Sequence, residues 1–294
     1  MARREEKLEL GERGTLSARN KLNDLTGREW IKFTKSWFIH RPPRRKEDEI
    51  LHPAKFPETL VEEFIRFFTK EGGWVIDPFL GTGSALVACC NAGRSGFGIE
   101  LNKKYWSIAQ RRVEKLRART TRSTAPHHFC HHGDSNDLPA IIADYLELRG
   151  VKFDYCITSP PYWNQLKRNS IRQKERTEKG LDTRYSEAAS DIGNIDDYQR
   201  FIDAQAVIFD RVYDVMKVGA YLTIITNNVY ADGRLYPLAF DTAVSLTKRD
   251  SRSWVLKDER IWLQDDKRLI ALGVNSAWVG NRHHQYCLIF RKES

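Results

Sequence analysis

The sequence predicts an α/β fold: a mainly parallel sheet, helices on both faces, and a ligand crevice at the carboxyl ends of the strands. Three observations carry the prediction. Short apolar runs at Trp74–Asp77, Gly96–Glu100, Phe153–Ile157 and Val218–Thr226 alternate with stretches of helical periodicity. A tight turn, Pro78-Phe79-Leu80-Gly81-Thr82-Gly83, joins the first run to a helix and so builds a strand–turn–helix–strand unit ending at Glu100. The third run stops at Thr158-Ser159, because Pro160 and Pro161 have no N–H with which to continue a ladder.

Composition sets the bounds. A chain of 294 residues, 41% of them hydrophobic, has room for one large core or two small ones. A net charge of +9 suits a polyanionic partner. The five cysteines sit in contexts such as Ala88-Cys89-Cys90 and Tyr155-Cys156-Ile157, which read as buried, reduced thiols of a cytoplasmic protein. No apolar run approaches membrane-spanning length, and the charged N-terminus lacks a signal-peptide core, so no membrane association is expected.

Residues 1–45 read as a basic, aromatic arm. In Trp30-Ile31-Lys32-Phe33 and Trp37-Phe38 aromatic and basic residues interleave; packing on the core is favoured over a place beside nucleic acid or cofactor. Arg41–Lys46 is an extended basic linker. A helix is expected over Glu58–Thr69, with Pro57 at its first position and Leu60, Phe64, Phe67 and Phe68 on the core face. Further helices are expected over Ser84–Asn91, closing at Gly93, over Lys103–Arg119 and over Asp196–Met216. Trp254–Leu263 and Gln285–Arg291 form a final strand pair, and the polar residues between them have no assignment. The run His127–His132 invites a metal reading, but a zinc site draws ligands from two separated pairs. A strand ending at Gly133-Asp134 is preferred, no metal is expected, and the role of the cluster stays open.

The turn glycines let backbone approach a ligand, and an acid at the end of the second strand can take two ribose hydroxyls. Gly81, Gly83 and Glu100 therefore suit a nucleoside-containing cofactor, with Asp134 facing the same crevice. The dinucleotide pattern would need a third glycine where Leu86 stands, and no Gly-Lys-Ser/Thr is present. At the proline turn, the carbonyls of Ser159 and Pro160 have no helix to accept into, and Tyr162 and Trp163 project aromatic faces beside them. Free acceptors beside aromatic faces make a seat for a flat, amino-bearing ring. The hydrophilic stretch 164–192, carrying Lys167, Arg168, Arg172, Lys174 and Arg176, is long enough that a functional role is expected.

With these residues placed, the chain from His52 onward resembles the S-adenosylmethionine-dependent amino methyltransferases of DNA, which make N4-methylcytosine and N6-methyladenine. The resemblance implies a Rossmann-like methyltransferase sheet of seven strands, mostly parallel with an antiparallel last strand, over residues 46–294. It implies a cofactor site of Lys55, Phe56, Asp77, Pro78, Phe79, Gly81, Gly83, Ser84, Glu100, Asp134 and Ser159. It implies catalysis by Ser159, Pro160, Pro161 and Tyr162, the family's motif in its Ser form, with two acceptors on the target amine and Tyr162 stacked on a base flipped out of the duplex. DNA contacts are expected from Trp163, Lys167, Arg168, Arg172, Lys174 and Arg176. The expected reaction is methyl transfer from S-adenosylmethionine to N4 of cytosine in double-stranded DNA, with N6 of adenine or an RNA amine as alternatives. Many relatives carry the catalytic motif before the cofactor loop; here the order is reversed. No separate recognition domain is visible, so 164–192 is the candidate element, with Asp232–Ser253 behind it. Two other classes explain less. A nicotinamide-dependent oxidoreductase accounts for Glu100 but not for Ser159–Trp163. A binding module on a dead fold should have lost Asp77, Gly81, Gly83 or the Ser-Pro-Pro-Tyr run, and all are present.

Overall fold

The computed structural model describes residues 7–41, 56–118, 126–163 and 188–293. Twelve strands lie in the described residues: β1 Lys7–Glu9, β2 Thr15–Ser17, β3 Trp37–Ile39, β4 Trp74–Asp77, β5 Ser95–Glu100, β6 His128–His132, β7 Phe153–Thr158, β8 Met216–Thr226, β9 Val229–Ala231, β10 Arg234–Tyr236, β11 Val255–Leu263 and β12 His284–Arg291. The α-helices are α1 Gly27–Phe33, α2 Glu58–Phe68, α3 Ser84–Ala92, α4 Lys103–Arg117, α5 Leu138–Asp144, α6 Tyr198–Val215 and α7 Leu238–Thr247. Pro57 is the N-cap of α2, one position outside the helix.

The central sheet has the order β3-β11-β12-β8-β7-β4-β5-β6. From β6 to β8 every pairing is parallel, and β12 is inserted antiparallel between β8 and β11. The chain fills β4, β5 and β6 outward in one direction, then starts again on the other side of β4 with β7 and β8. That reversal leaves a crevice outside the carboxyl ends of β4 and β7, where open α/β sheets bind ligands. The expected seven strands are all present. An eighth, β3, comes from the arm and pairs in parallel with Ile261–Leu263 of β11.

Successive residues of the central strands alternate between two cores, as strands buried on both faces require. Ile76, Phe153, Cys156, Leu222, Leu288 and Phe290 face α5, α6 and α7. Val75, Tyr155, Ile157, Ile225, Cys287 and Ile289 face α2, α3 and α4. The arm closes the second core. Phe33 of α1 stacks on Phe67 with ring centroids 4.0 Å apart, and Trp30 packs on the same ring. The buried Arg260 lies 4.0 Å from the Phe33 ring and 4.4 Å from that of Phe38, while its Nε donates to the Lys35 carbonyl. Burial lowers its pKa. Arg94, also buried, donates to the Thr69 carbonyl and reaches Asp24. A third apolar cluster covers the carboxyl edge of the sheet. It joins Tyr162 and Trp163 to Phe201 and Ile202 of α6 and to Val229, Ala231 and Tyr236 of the β9–β10 hairpin.

Among the described residues no helix is long and apolar enough to cross a membrane. The histidine run is strand β6 at the sheet edge. His128 bonds the Arg94 carbonyl, His131 the Tyr145 hydroxyl and His132 the Leu101 carbonyl. No described group of three His, Cys, Asp or Glu is placed to hold a metal ion.

Candidate active site

The crevice at the reversal point is open to solvent, and its walls come from six segments. Pro78, Phe79 and Gly81 belong to the β4–α3 turn, Glu100 and Tyr105 to the end of β5 and the start of α4, and Asp134 and Ser135 to the turn after β6. Ser159 and Pro161 come from the proline turn, Asp191 and Ile192 from the turn before α6. Ile208 of α6 adds an apolar wall.

Glu100 is the centre of the cofactor half. Its Oε2 accepts from the Gly81 N–H at 2.7 Å and its Oε1 from the Asn102 N–H at 2.7 Å. Each carboxylate oxygen keeps one further acceptor site, which suits a pair of vicinal hydroxyls. Burial pushes the Glu100 carboxyl up to about 7 against the pull of those two N–H groups, with the charges of Asp77 and Asp191 adding to the rise. Asp134 accepts twice from Asn136 through Oδ1, leaving Oδ2 available to a ligand. Two acids, Glu100 and Asp134, and apolar walls at Phe79, Ile99, Ile192 and Ile208 are chemically suited to the nucleoside part of S-adenosylmethionine.

Four of the expected cofactor residues do not line this crevice. Asp77 is buried; its Oδ1 accepts from Thr158 Oγ1 at 2.6 Å and from the Phe79 N–H at 3.0 Å. It thus ties the end of β4 to the end of β7. Among the described residues its Oδ2 has no hydrogen-bond partner, and burial raises the carboxyl to about 7. Gly83 serves packing rather than ligand approach: at φ +87° it sits where a Cβ would lie 2.9 Å from the Ala109 Cβ of α4. Ser84 is buried in the first turn of α3. Phe56 is likewise in the α2–α3 core. Lys55 lies outside the described residues, as do Lys167, Arg168, Arg172, Lys174 and Arg176.

The proline turn sits across the crevice from Glu100. Among the described residues no group donates to the carbonyls of Ser159 or Pro160. The Tyr162 hydroxyl donates to Gln285 Oε1 at 3.1 Å and lies 3.1 Å from Ser159 Oγ. With its own proton given to Gln285, the tyrosine oxygen takes the serine proton, and the lone pairs of Ser159 Oγ are left outward. Tyr162 is only 7% exposed, so its ring is packed in the third cluster and offers no open face for the expected base stack. Burial pushes its hydroxyl up to about 12. Trp163, expected on the DNA side, is 3% exposed; its Nε1 donates to the Asp196 carbonyl and its ring packs on Tyr198 and Tyr236. It shapes the turn from beneath. Tyr105, Ser135, Asp191, Ile192 and Ile208 line the crevice without having been singled out in the sequence, since no local pattern marks them.

Sheet order and crevice define a Rossmann-like methyltransferase fold. Residues 7–111 match the family described as DNA methylase (N6_N4_Mtase), so this part of the chain is similar to the amino methyltransferases of DNA. The match runs past residue 45 without a break and ends before the proline turn. Similar curated relatives include the type II methyltransferase M.BglI of Bacillus subtilis, 35% identical over 92 residues, covering 31% of this chain and 26% of that protein. M2.DpnII of Streptococcus pneumoniae is 43% identical over 63 residues, covering 21% and 24%. The matched stretch thus spans about a quarter of these relatives. Among solved structures, TrmN from Thermus thermophilus superposes with a TM-score of 0.49 at 12% identity, covering 83% of this chain and 51% of that one. NSun6 from Pyrococcus horikoshii with SFG gives 0.46 at 11% identity, covering 83% and 53%.

Proposed function

We propose that this chain methylates the exocyclic amine of a base in duplex DNA, at N4 of cytosine, with S-adenosylmethionine as donor. The observation that carries the reading is the placement of Ser159 on the wall of the crevice that Glu100 occupies, with acceptors at Ser159 and Pro160 that no described residue fills. The donor supplies an electrophilic methyl group on a positively charged sulfur. Glu100 holds the ribose and Asp134 the adenine side. The amine of cytosine is a weak nucleophile because its lone pair is delocalised into the ring. Ser159 Oγ and the Pro160 carbonyl accept its two N–H groups, draw the nitrogen toward tetrahedral geometry and localise that pair. Asp77 fixes the end of β7, and with it the turn, relative to the cofactor loop through Thr158. Holding both partners in line supplies much of the rate gain.

The base leaves the duplex to reach this turn, at a few kcal/mol of lost stacking. The basic stretch 164–192 grips phosphate. A Ser at the head of the motif donates as well as accepts, whereas an Asp only accepts and brings charge; this favours cytosine over adenine. Nucleoside mass spectrometry of DNA treated with the protein and labelled donor tests the reading. N4-methylcytosine is expected. Label confined to N6-methyladenine overturns the choice of base, and label in RNA alone overturns the choice of nucleic acid.

A further inference from the structure

The stretch between β11 and β12 leaves the sheet at its carboxyl edge, on the side of the proline turn. Thr158 pairs with Ile224 of β8, and Thr226 at the end of β8 pairs with Tyr286 of β12. The root of residues 264–283 is therefore two strand spacings from the turn, about 10 Å, and Gln285 at that root hydrogen-bonds Tyr162. The excursion is built, not slack. The Gln264 N–H donates to the His283 carbonyl, and the Asn281 side chain bridges the N–H and C=O of Ile270 at 2.9 and 2.8 Å. At the tip, the Gly273 carbonyl accepts from the N–H groups of Ser276 and Ala277. Gly273 has φ +62°, and a Cβ there would fall 2.1 Å from the Ala277 oxygen.

This ordered tip turns its apolar residues outward. Trp278 is 91% exposed, Leu269 72% and Val274 64%. An ordered tip that leaves a tryptophan almost wholly bare is a candidate contact surface. Its surroundings select the partner. Lys267 and Arg268 on one side and Arg282 on the other flank it, against Asp265 and Asp266 near the β11 root, in a chain of net charge +9. Two such chains repel each other, and a polyanion does not.

We infer that residues 264–283 form a second DNA-binding element on the catalytic edge, and that Trp278 enters the duplex beside the target base. Apolar wedges flanked by cations are a recurring way of unstacking a base step. A wedge on an excursion rooted about 10 Å from the proline turn is on the edge where a base has to leave the stack. The inference rests on the proposed DNA substrate, but it is read from affinity and so is separable from the reaction.

The test measures binding of fluorescent, unmethylated duplex DNA by Trp278→Ala, Trp278→Phe and Leu146→Ala, with calorimetry of S-adenosylmethionine binding on each. Leu146 is an equally bare apolar residue, at 68%, just before β7 at the opposite edge of the sheet. Trp278→Ala is expected to bind DNA about tenfold more weakly, a loss typical of one aromatic–base stack. Trp278→Phe should recover most of that loss, Leu146→Ala should bind as wild type, and all should keep donor affinity. Gly273→Ala, which breaks the tip, should mimic Trp278→Ala. Wild-type affinity in Trp278→Ala, or a change in its sedimenting mass showing that Trp278 joins two copies, overturns the inference. Loss of DNA affinity in Trp278→Ala, in a protein that transfers no methyl group to DNA, supports the inference and refutes the proposed reaction.

Discussion

Replacing Asp77 by Asn should stabilise the ligand-free protein at alkaline pH and not at acid pH. The carboxyl is buried, one oxygen has no partner among the described residues, and its pKa stands at about 7 against an ordinary 3.8. A carboxyl whose folded pKa is raised favours the folded state at low pH, and that contribution is lost as pH climbs through the folded value. Asn keeps an oxygen to accept from Thr158 and the Phe79 N–H, but carries no charge to desolvate. From pH 5 to about pH 7 the folded protein keeps the Asp77 proton that the unfolded chain has already lost, so wild type loses this stabilisation steadily over that window. At 1.36 kcal/mol per pH unit, the Asp77→Asn variant should gain about 3 kcal/mol on wild type between pH 5 and pH 8. Burial raises Glu100 in both proteins, and the part of its rise that comes from the Asp77 charge disappears in Asp77→Asn, which adds to the gain at alkaline pH. Denaturant titrations of both proteins at the two pH values measure the difference directly. Equal destabilisation of Asp77→Asn at both would show that the carboxylate's bonds to Thr158 and Phe79 outweigh its burial, and would refute the reasoning.

Gly83→Ala forces a Cβ against Ala109 in left-handed backbone and should cost about 2–4 kcal/mol, seen as a lower Tm with the crevice walls unchanged. Gln285→Leu removes the acceptor of the Tyr162 proton. That should lower kcat roughly fivefold to tenfold, the worth of one neutral hydrogen bond, with donor affinity by calorimetry unchanged. Glu100→Ala should weaken S-adenosylmethionine binding while circular dichroism shows an intact fold. Replacing Arg168, Arg172 and Lys174 together by Ala should lower the slope of log affinity against log salt by about 3, in titrations with duplex DNA.

The βαβ unit was legible because its signals are local: strand, two glycines, helix and acid lie within 27 residues, Trp74 to Glu100. The proline turn was legible for the same reason. What escaped depends on contacts that sequence order does not announce. Gln285 meets Tyr162 across a separation of 123 residues. The three-residue strand β3 pairs with Ile261–Leu263 of β11, near the other end of the chain. The burial of Trp163 is set by Tyr198 and Tyr236, from two other elements. Gly83 shows the opposite error: a local pattern read as ligand approach, where the tight spot is a neighbouring helix.

The join between β3 and β11 also governs how the molecule behaves in a crowded solution. A terminal strand offers a row of unpaired N–H and C=O groups to any other extended chain. In β11 the first half is guarded by Lys257, Asp258 and Glu259 and by a register irregularity between Leu256 and Asp258. The second half, Ile261-Trp262-Leu263, has no charge of its own and is covered by Trp37-Phe38-Ile39. The aromatic arm is thereby a cap against self-association: a chain trimmed of it would bare an apolar edge and be drawn toward aggregates before its chemistry could be assayed.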